Sequence, residues 1–142
     1  YQHLAISAQP GAIELFKTLK ENGILVVLNT GFNKDTAEFI LNKLDWKNGK
    51  EIDFLITASD VKNNRPFPDM ILKAMDHFNI MDPKEVVKIG DSKVDIKEGQ
   101  NAACLLSIGI TTGAQSRDEM RKANPDYIID SLEELFPILQ KY

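Results

Sequence analysis

Asp91 and Asp95 stand four residues apart, just behind the run Val86-Val87-Lys88-Ile89-Gly90. The apolar members of that run read as a buried strand of a parallel sheet, and Ile96 to Ala103 reads as the helix that follows. Gly90 lets the backbone turn sharply at the strand's C-terminal edge, where open α/β sheets place their ligands. Both carboxylates would then sit in the turn at the mouth of that crevice. Two like charges there repel unless something positive lies between them. A hard cation such as Mg²⁺, which prefers oxygen ligands and phosphate partners, suits the position. The competing reading is structural, with Asp91 or Asp95 simply capping the helix.

Two other segments offer complementary chemistry. Leu28-Asn29-Thr30-Gly31-Phe32 puts a hydroxyl at the tip of a strand, followed by a glycine that lets a ligand approach backbone N–H groups. That arrangement suits a phosphoryl oxygen, although a Thr-Gly pair also makes an ordinary turn. Asn64-Arg65-Pro66-Phe67-Pro68 holds one cation in a loop stiffened by proline. A rigid guanidinium is fitted to bidentate contact with phosphate and to screening an anionic site; the plain alternative is a solvated surface Arg. Asp69 is expected to cap the helix after Pro68. His3 and His77 have no second His or Cys at ligand spacing, which argues against zinc.

Alternating strand and helix patterns must position these groups, which predicts an α/β fold with a parallel sheet and helices on both faces. Pro10-Gly11 opens a helix with Ile13, Phe16 and Leu19 on one face, ended by Asn22-Gly23. Strands are expected at 24–28, 54–57, 86–89, 105–108 and 127–129. Further helices are expected from Lys34 or Asp35 through Leu44, and at 69–78, 116–123 and 132–139. A polar stretch covers Trp46 to Glu51, and a loop covers Ser59 to Pro68.

Length and composition set the outer bounds. A chain of 142 residues with net charge −4 fits one domain able to bury a sizeable core. It carries no basic stripe for nucleic acid. The single cysteine, Cys104, lies in Ala102-Ala103-Cys104-Leu105-Leu106, reads as a buried structural thiol and fits a reducing cytoplasm. No apolar run reaches the length of a membrane span and no signal-peptide pattern is visible. The chain begins with Tyr1 rather than Met, so the expectation is a segment removed in front, or numbering that starts inside a longer polypeptide.

The order of the three segments is more specific than any one of them. Thr-Gly after one strand, Arg-Pro before a helix and Gly-Asp-Ser-x-x-Asp after a later strand resemble the haloacid dehalogenase-like hydrolase superfamily. Asn-Thr-Gly-Phe, Asn-Arg-Pro-Phe-Pro-Asp-Met and Val-Val-Lys-Ile-Gly-Asp-Ser are similar to its phosphonatase-like branch. The resemblance runs from about Pro10 to the C-terminus, making residues 10–142 an incomplete core domain and residues 1–9 a lead-in.

The resemblance implies a Rossmann-like sheet and a set of roles. Thr30 would hold the transferring phosphoryl group with its hydroxyl, and Gly31 would offer backbone. Arg65 would steady the nucleophile and the phosphoryl charge. Asp91 would bind Mg²⁺ directly, Asp95 would support the metal through water or hydrogen bonds, and Ser92 would add a hydrogen bond behind them. The substrate would be a small phosphate ester or phosphonate.

One departure matters as much as the match. The family's first motif, Asp-x-Asp at the end of an N-terminal strand, supplies the nucleophile and the general acid/base, and no Asp-x-Asp occurs in this sequence. The family's helical cap is likewise missing, and with it the Schiff-base Lys that C–P cleavage needs. In the family's sheet the absent strand is central, between those of 24–28 and 86–89. Its loss would leave two strand edges unpaired, which is costly. The expectation is that a preceding segment or another chain completes the sheet; Tyr1 to Ala8, with Leu4 and Ile6 alternating, is a weaker candidate. Leu4, Ile6, Phe32 and Phe67 could line a cap or homodimer contact.

Three functions follow from these residues. The first is the C-terminal portion of a Mg²⁺-dependent phosphohydrolase, inactive alone for want of its nucleophile. The second is a non-catalytic module that keeps the metal and phosphate cradle. The third is a receiver-like signalling domain, disfavoured because receivers place their acidic pair at the first strand and not at a late one.

Overall fold

The computed structural model describes residues 12–46 and 51–142. In chain order these form α1 (Ala12–Glu21), β1 (Val27–Thr30), α2 (Lys34–Leu44), β2 (Phe54–Thr57), a 3-10 turn at Ala58–Asp60, α3 (Asp69–His77), β3 (Val87–Gly90), α4 (Lys93–Asn101), β4 (Leu106–Ile110), α5 (Arg117–Arg121), β5 (Tyr127–Ile129) and α6 (Leu135–Leu139). This is the α/β alternation expected from the sequence. Residues 47–50 of the polar stretch, the lead-in 1–9 and the helix opening at Pro10-Gly11 lie outside the described residues, as does the idea that Tyr1 to Ala8 fills the sheet.

The pairings among the five described strands are parallel. β1 pairs with β2, aligning Thr30 with Thr57. β3 pairs with β4, aligning Gly90 with Gly109, and β4 pairs with β5. Helix crossovers return the chain each time, so the strands of each sheet end on a common rim.

β4 shows why helices cover both faces. Leu106, Ile108 and Ile110 pack into one apolar cluster with Leu15 and Leu19 of α1 and Leu135 of α6. Ser107 and Gly109 point the other way, where Ser107 Oγ donates to the Ile96 carbonyl at 2.6 Å. On that second face Ile96, Met120 and Ala123 form their own cluster. All five residues of β4 are buried, with the small residues Ser107 and Gly109 fitting the second face against α4 and α5.

Several boundaries differ from the sequence expectation for local reasons. The first strand starts at Val27, not Ile24. Gly23 adopts φ +74°, and the N–H groups of Gly23 and Ile24 close the end of α1 on Lys20 and Leu19. This glycine-terminated helix end uses up the first residues of the apolar run, leaving Ile24 and Leu25 partly exposed. α4 stops at Asn101 because Ala103 takes φ +61° and the Cys104 N–H turns back to the Gly99 carbonyl. The last helical segment divides into a 3-10 turn at Leu132–Glu134 and α6.

Among the described residues the two-stranded and three-stranded sheets are not hydrogen-bonded to each other. β1 and β3 face one another across a cleft of about 630 Å³, lined by Leu28, Thr30, Val87, Ile89 and Asp91. Among the described residues no helix is long and apolar enough to cross a membrane.

Candidate active site

The rim where β1 and β3 end gathers the chemistry-bearing side chains. Thr30 closes β1 and is buried; its Oγ1 accepts from the Phe32 N–H at 3.2 Å. That hydrogen bond occupies an acceptor position and leaves the hydroxyl proton to donate. The turn continues into Asn33, whose side chain accepts from the Thr36 N–H and caps α2.

Arg65 reaches this rim from the loop after β2. Its guanidinium lies against Gly31, where an added methyl would stand 2.7 Å from an Arg65 nitrogen. Only a residue without a side chain permits that approach. The loop is tied down on both sides. Asn64 Nδ2 donates to the Gly31 carbonyl at 3.3 Å, and Asn101 Nδ2 at the end of α4 donates to the Pro66 carbonyl at 2.7 Å. Asp69, expected as a helix cap, instead accepts from the N–H and the side chain of Asn63. The cap position belongs to Pro68, without a side-chain hydrogen bond, so Asp69 closes the base of the Arg65 loop.

The third contribution comes after β3. Ser92 caps α4, accepting from the Asp95 N–H at 3.4 Å while its own hydroxyl donates to Asp95 Oδ2 at 2.8 Å. The helix cap is therefore Ser92, and neither Asp91 nor Asp95 performs that task. Asp95 is fully buried, with Arg65 Nη1 at 2.6 Å and Lys88 Nζ at 3.8 Å from Oδ1. Burial by itself raises its pKa. Lys88 and Arg65, with the hydrogen bonds from Ser92 and Arg65, outweigh burial and hold the carboxyl below its ordinary value. A methyl on Gly90 would overlap the Asp95 side chain. Asp91 is buried beside Gly113 of the loop after β4, so closely that a methyl at Gly113 would overlap the carboxylate.

Two carboxylates thus play different parts. Asp95 is neutralised by cations and hydrogen bonds, whereas Asp91 lies on the cleft side of the rim with Thr30. No group of three or more His, Cys, Asp or Glu side chains that could hold a metal occurs among the described residues. The Asp91 carboxylate is an oxygen donor, the ligand type that Mg²⁺ takes. His77, discounted as a ligand, stacks on Phe54 with ring centroids 4.0 Å apart.

A model of the haloacid dehalogenase-like hydrolase family matches residues 2–110. The chain belongs to this family. A phosphonoacetaldehyde hydrolase from Parabacteroides distasonis is 31% identical over 155 residues, covering 93% of this chain and 58% of the relative. Among solved structures, a hydrolase from Pseudomonas syringae is similar with TM-score 0.83 and 26% identity, over 99% of this chain and 66% of that one. A phosphonoacetaldehyde hydrolase-like protein from Oleispira antarctica gives TM-score 0.79 at 26% identity, over 93% and 55%. The chain spans about 58% of the length of the curated relative from P. distasonis.

Within this haloacid dehalogenase-like core, the structure gathers Gly31, Arg65 and Asp95 in direct contact, and Thr30 and Asp91 line the same cleft. The sequence reading missed Lys88, Glu98, Asn64, Asn101 and Gly113. Lys88 alternates out of an apolar strand, a signal that could have marked it as facing a buried carboxylate. For the others, the contacts join segments remote in sequence.

Proposed function

We propose that this chain is the core portion of a Mg²⁺-dependent phosphohydrolase that takes a small phosphate ester or phosphonate. The observation that carries the reading is the joining of three strand-end segments at one rim, with Arg65 bound to Asp95 at 2.6 Å. Membership of the hydrolase family and the names of its relatives support the reaction class. The substrate's phosphoryl group would lie between Thr30 and Asp91, at the open end of the cleft.

In this reading Thr30 donates its hydroxyl proton to one phosphoryl oxygen, and the backbone at Gly31 approaches another. Arg65 carries positive charge toward the same oxygens while Asp95 fixes its fork. Such positioning and charge stabilisation make up most of phosphoryl-transfer catalysis. Asp91 would hold Mg²⁺, which when bound offsets the negative charge of the transferring group.

The nucleophile is proposed to be an Asp carboxylate supplied by sequence outside this chain, on a strand seated between β1 and β3. Support comes from β1 and β3, whose cleft-facing edges are not hydrogen-bonded to each other among the described residues. The carboxylate oxygen forms a bond to phosphorus as the ester O–P bond breaks, and water then hydrolyses the aspartyl-phosphate to free phosphate. For a phosphonate the broken bond is C–P, and the electron sink for it would also come from outside this chain.

The test is phosphate release from an aryl phosphate and from phosphonoacetaldehyde, measured with Mg²⁺ for this chain and for the protein as encoded with every residue its gene supplies. The reading expects turnover of at least one substrate by the encoded protein and none by this chain. Mg²⁺ and phosphate binding with no turnover by the encoded protein would favour a non-catalytic module instead.

A further inference from the structure

We propose that Lys88 and Glu98 are positioning residues for the phosphoryl site, holding Arg65 and Asp95 in register with the Thr30 strand through one buried network of charges. The proposal rests on the phosphohydrolase reading above. Lys88 Nζ lies 3.2 Å from Glu98 Oε1 and 3.8 Å from Asp95 Oδ1. Glu98 Oε2 accepts from Asn29 Nδ2 at 2.9 Å, and Asn29 immediately precedes Thr30. Arg65 completes the series on Asp95. The connection thus runs Asn29, Glu98, Lys88, Asp95, Arg65. It crosses from β1 to α4, to β3, back to α4 and out to the loop after β2.

Among the described residues the network brings two cations, Arg65 and Lys88, to two carboxylates, Asp95 and Glu98. Asp95 and Glu98 are fully buried and Lys88 is nearly so. Val87 and Ile89 on either side of Lys88 pack into the apolar cluster, so Lys88 projects from the opposite face toward α4. α4 makes room for its stem at Gly99, where an added methyl would stand 2.7 Å from Lys88 Cβ.

Such a group is weak evidence of a stabilising role. Buried ion pairs are often replaced by apolar residues of similar volume without loss, because desolvation consumes the Coulombic gain. What the network does supply is geometry. It is a hydrogen-bonded and ionic link across the cleft between the β1 rim and the β3 rim, and it ends on Arg65. A loosened link lets the guanidinium swing away from the phosphoryl oxygens even though Arg65 itself is intact.

Glu98→Gln, Lys88→Met and the charge-neutral pair Lys88→Met/Glu98→Gln separate positioning from stability in the protein as encoded. Two readouts are taken, with folding checked by circular dichroism and thermal melting. The first is the NMR signals of the Arg65 guanidinium, assigned by their loss in Arg65→Lys. They are expected to be resolved in the wild type and averaged by rotation in every folded variant. The second is hydrolysis of the aryl phosphate, with kcat expected to fall about tenfold or more and KM to move by less than about threefold, as for a misplaced catalytic group. The pair is expected to regain thermal stability over the single variants while kcat stays low.

Unchanged Arg65 signals in the folded pair would overturn the proposal whether or not the protein turns over. Recovery of kcat in step with stability would also overturn it, leaving a purely structural ion pair. Absence of turnover in the wild type would count against the phosphohydrolase reading alone, since the Arg65 signals still decide whether the network holds the side chain.

Discussion

Arg65 Nη1 donates to Asp95 Oδ1 at 2.6 Å across 30 residues of chain. One contact thereby fixes the loop after β2 to the first turn of α4. Arg65 remains partly exposed, while Asp95 is fully buried. The carboxylate anchors and the guanidinium is presented.

Arg65→Lys is therefore not conservative. A lysine supplies charge but not a planar fork that can hold Asp95 and face a phosphoryl group together. Steady-state kinetics should show kcat reduced about 10²–10³-fold, the range seen when one preorganised donor is removed. Activity within a few-fold of wild type would mean that Arg65 serves only as a diffuse charge.

Gly113→Ala probes Asp91 from the opposite side. The added methyl would overlap the Asp91 carboxylate, so either the loop or the carboxylate must shift, at a cost of about 1–3 kcal/mol. The expected result is a folded protein that needs a higher Mg²⁺ concentration for half-maximal activity. An unchanged Mg²⁺ titration would show that the loop moves and Asp91 does not.

Asp95 gives the protein an acid limit. Its carboxyl is held below the ordinary value of 3.8, with burial opposing and Lys88, Arg65 and Ser92 prevailing. A pKa lowered by folding contributes stability that is present above the unfolded value and is lost as pH falls through the folded one. Urea unfolding between pH 6 and pH 3 should therefore show a deficit in Asp95→Asn that is constant above about pH 5 and shrinks below it. A deficit that does not change across the range would contradict the assignment.

Cys104 should be inert in the folded protein. It is buried with Ile71, Met75 and Ala102, and burial pushes its thiol up to about 11. The thiolate is the reactive form, so reaction with a disulfide reagent at pH 8 should be slow and rise sharply in denaturant. Because folding raises this pKa, any stability effect of the thiol is a loss that begins as pH passes the unfolded value and ends near the folded one. Fast native labelling at pH 8 would place the thiol at the surface.

Much of the fold was legible because its signals are local. Phe54–Thr57 and Tyr127–Ile129 matched their expected strands, since each is a short β-rich run between turn residues. The separation of β1 from β3 was implied by the family resemblance, not by periodicity. Other features depended on contacts no window could reveal. Gly23 diverted Ile24 and Leu25 into a helix end, and Pro68 displaced Asp69 from the cap. Thr30, Arg65, Asp91 and Asp95 stood out by type and spacing. Glu98 did not, because a glutamate on a helix is ordinarily solvent-facing, and only the fold brings Lys88 and Asn29 to it.

The most direct test of the central claim compares wild type and Asp91→Asn for Mg²⁺-dependent phosphate release in the protein as encoded. Asn keeps the size of the side chain and removes its charge, so folding should be preserved by circular dichroism. Turnover is expected in the wild type, with a loss of about 10³-fold or more in Asp91→Asn, because charge stabilisation of the transferring phosphoryl group fails. A folded Asp91→Asn protein that turns over at the wild-type rate would contradict the claim.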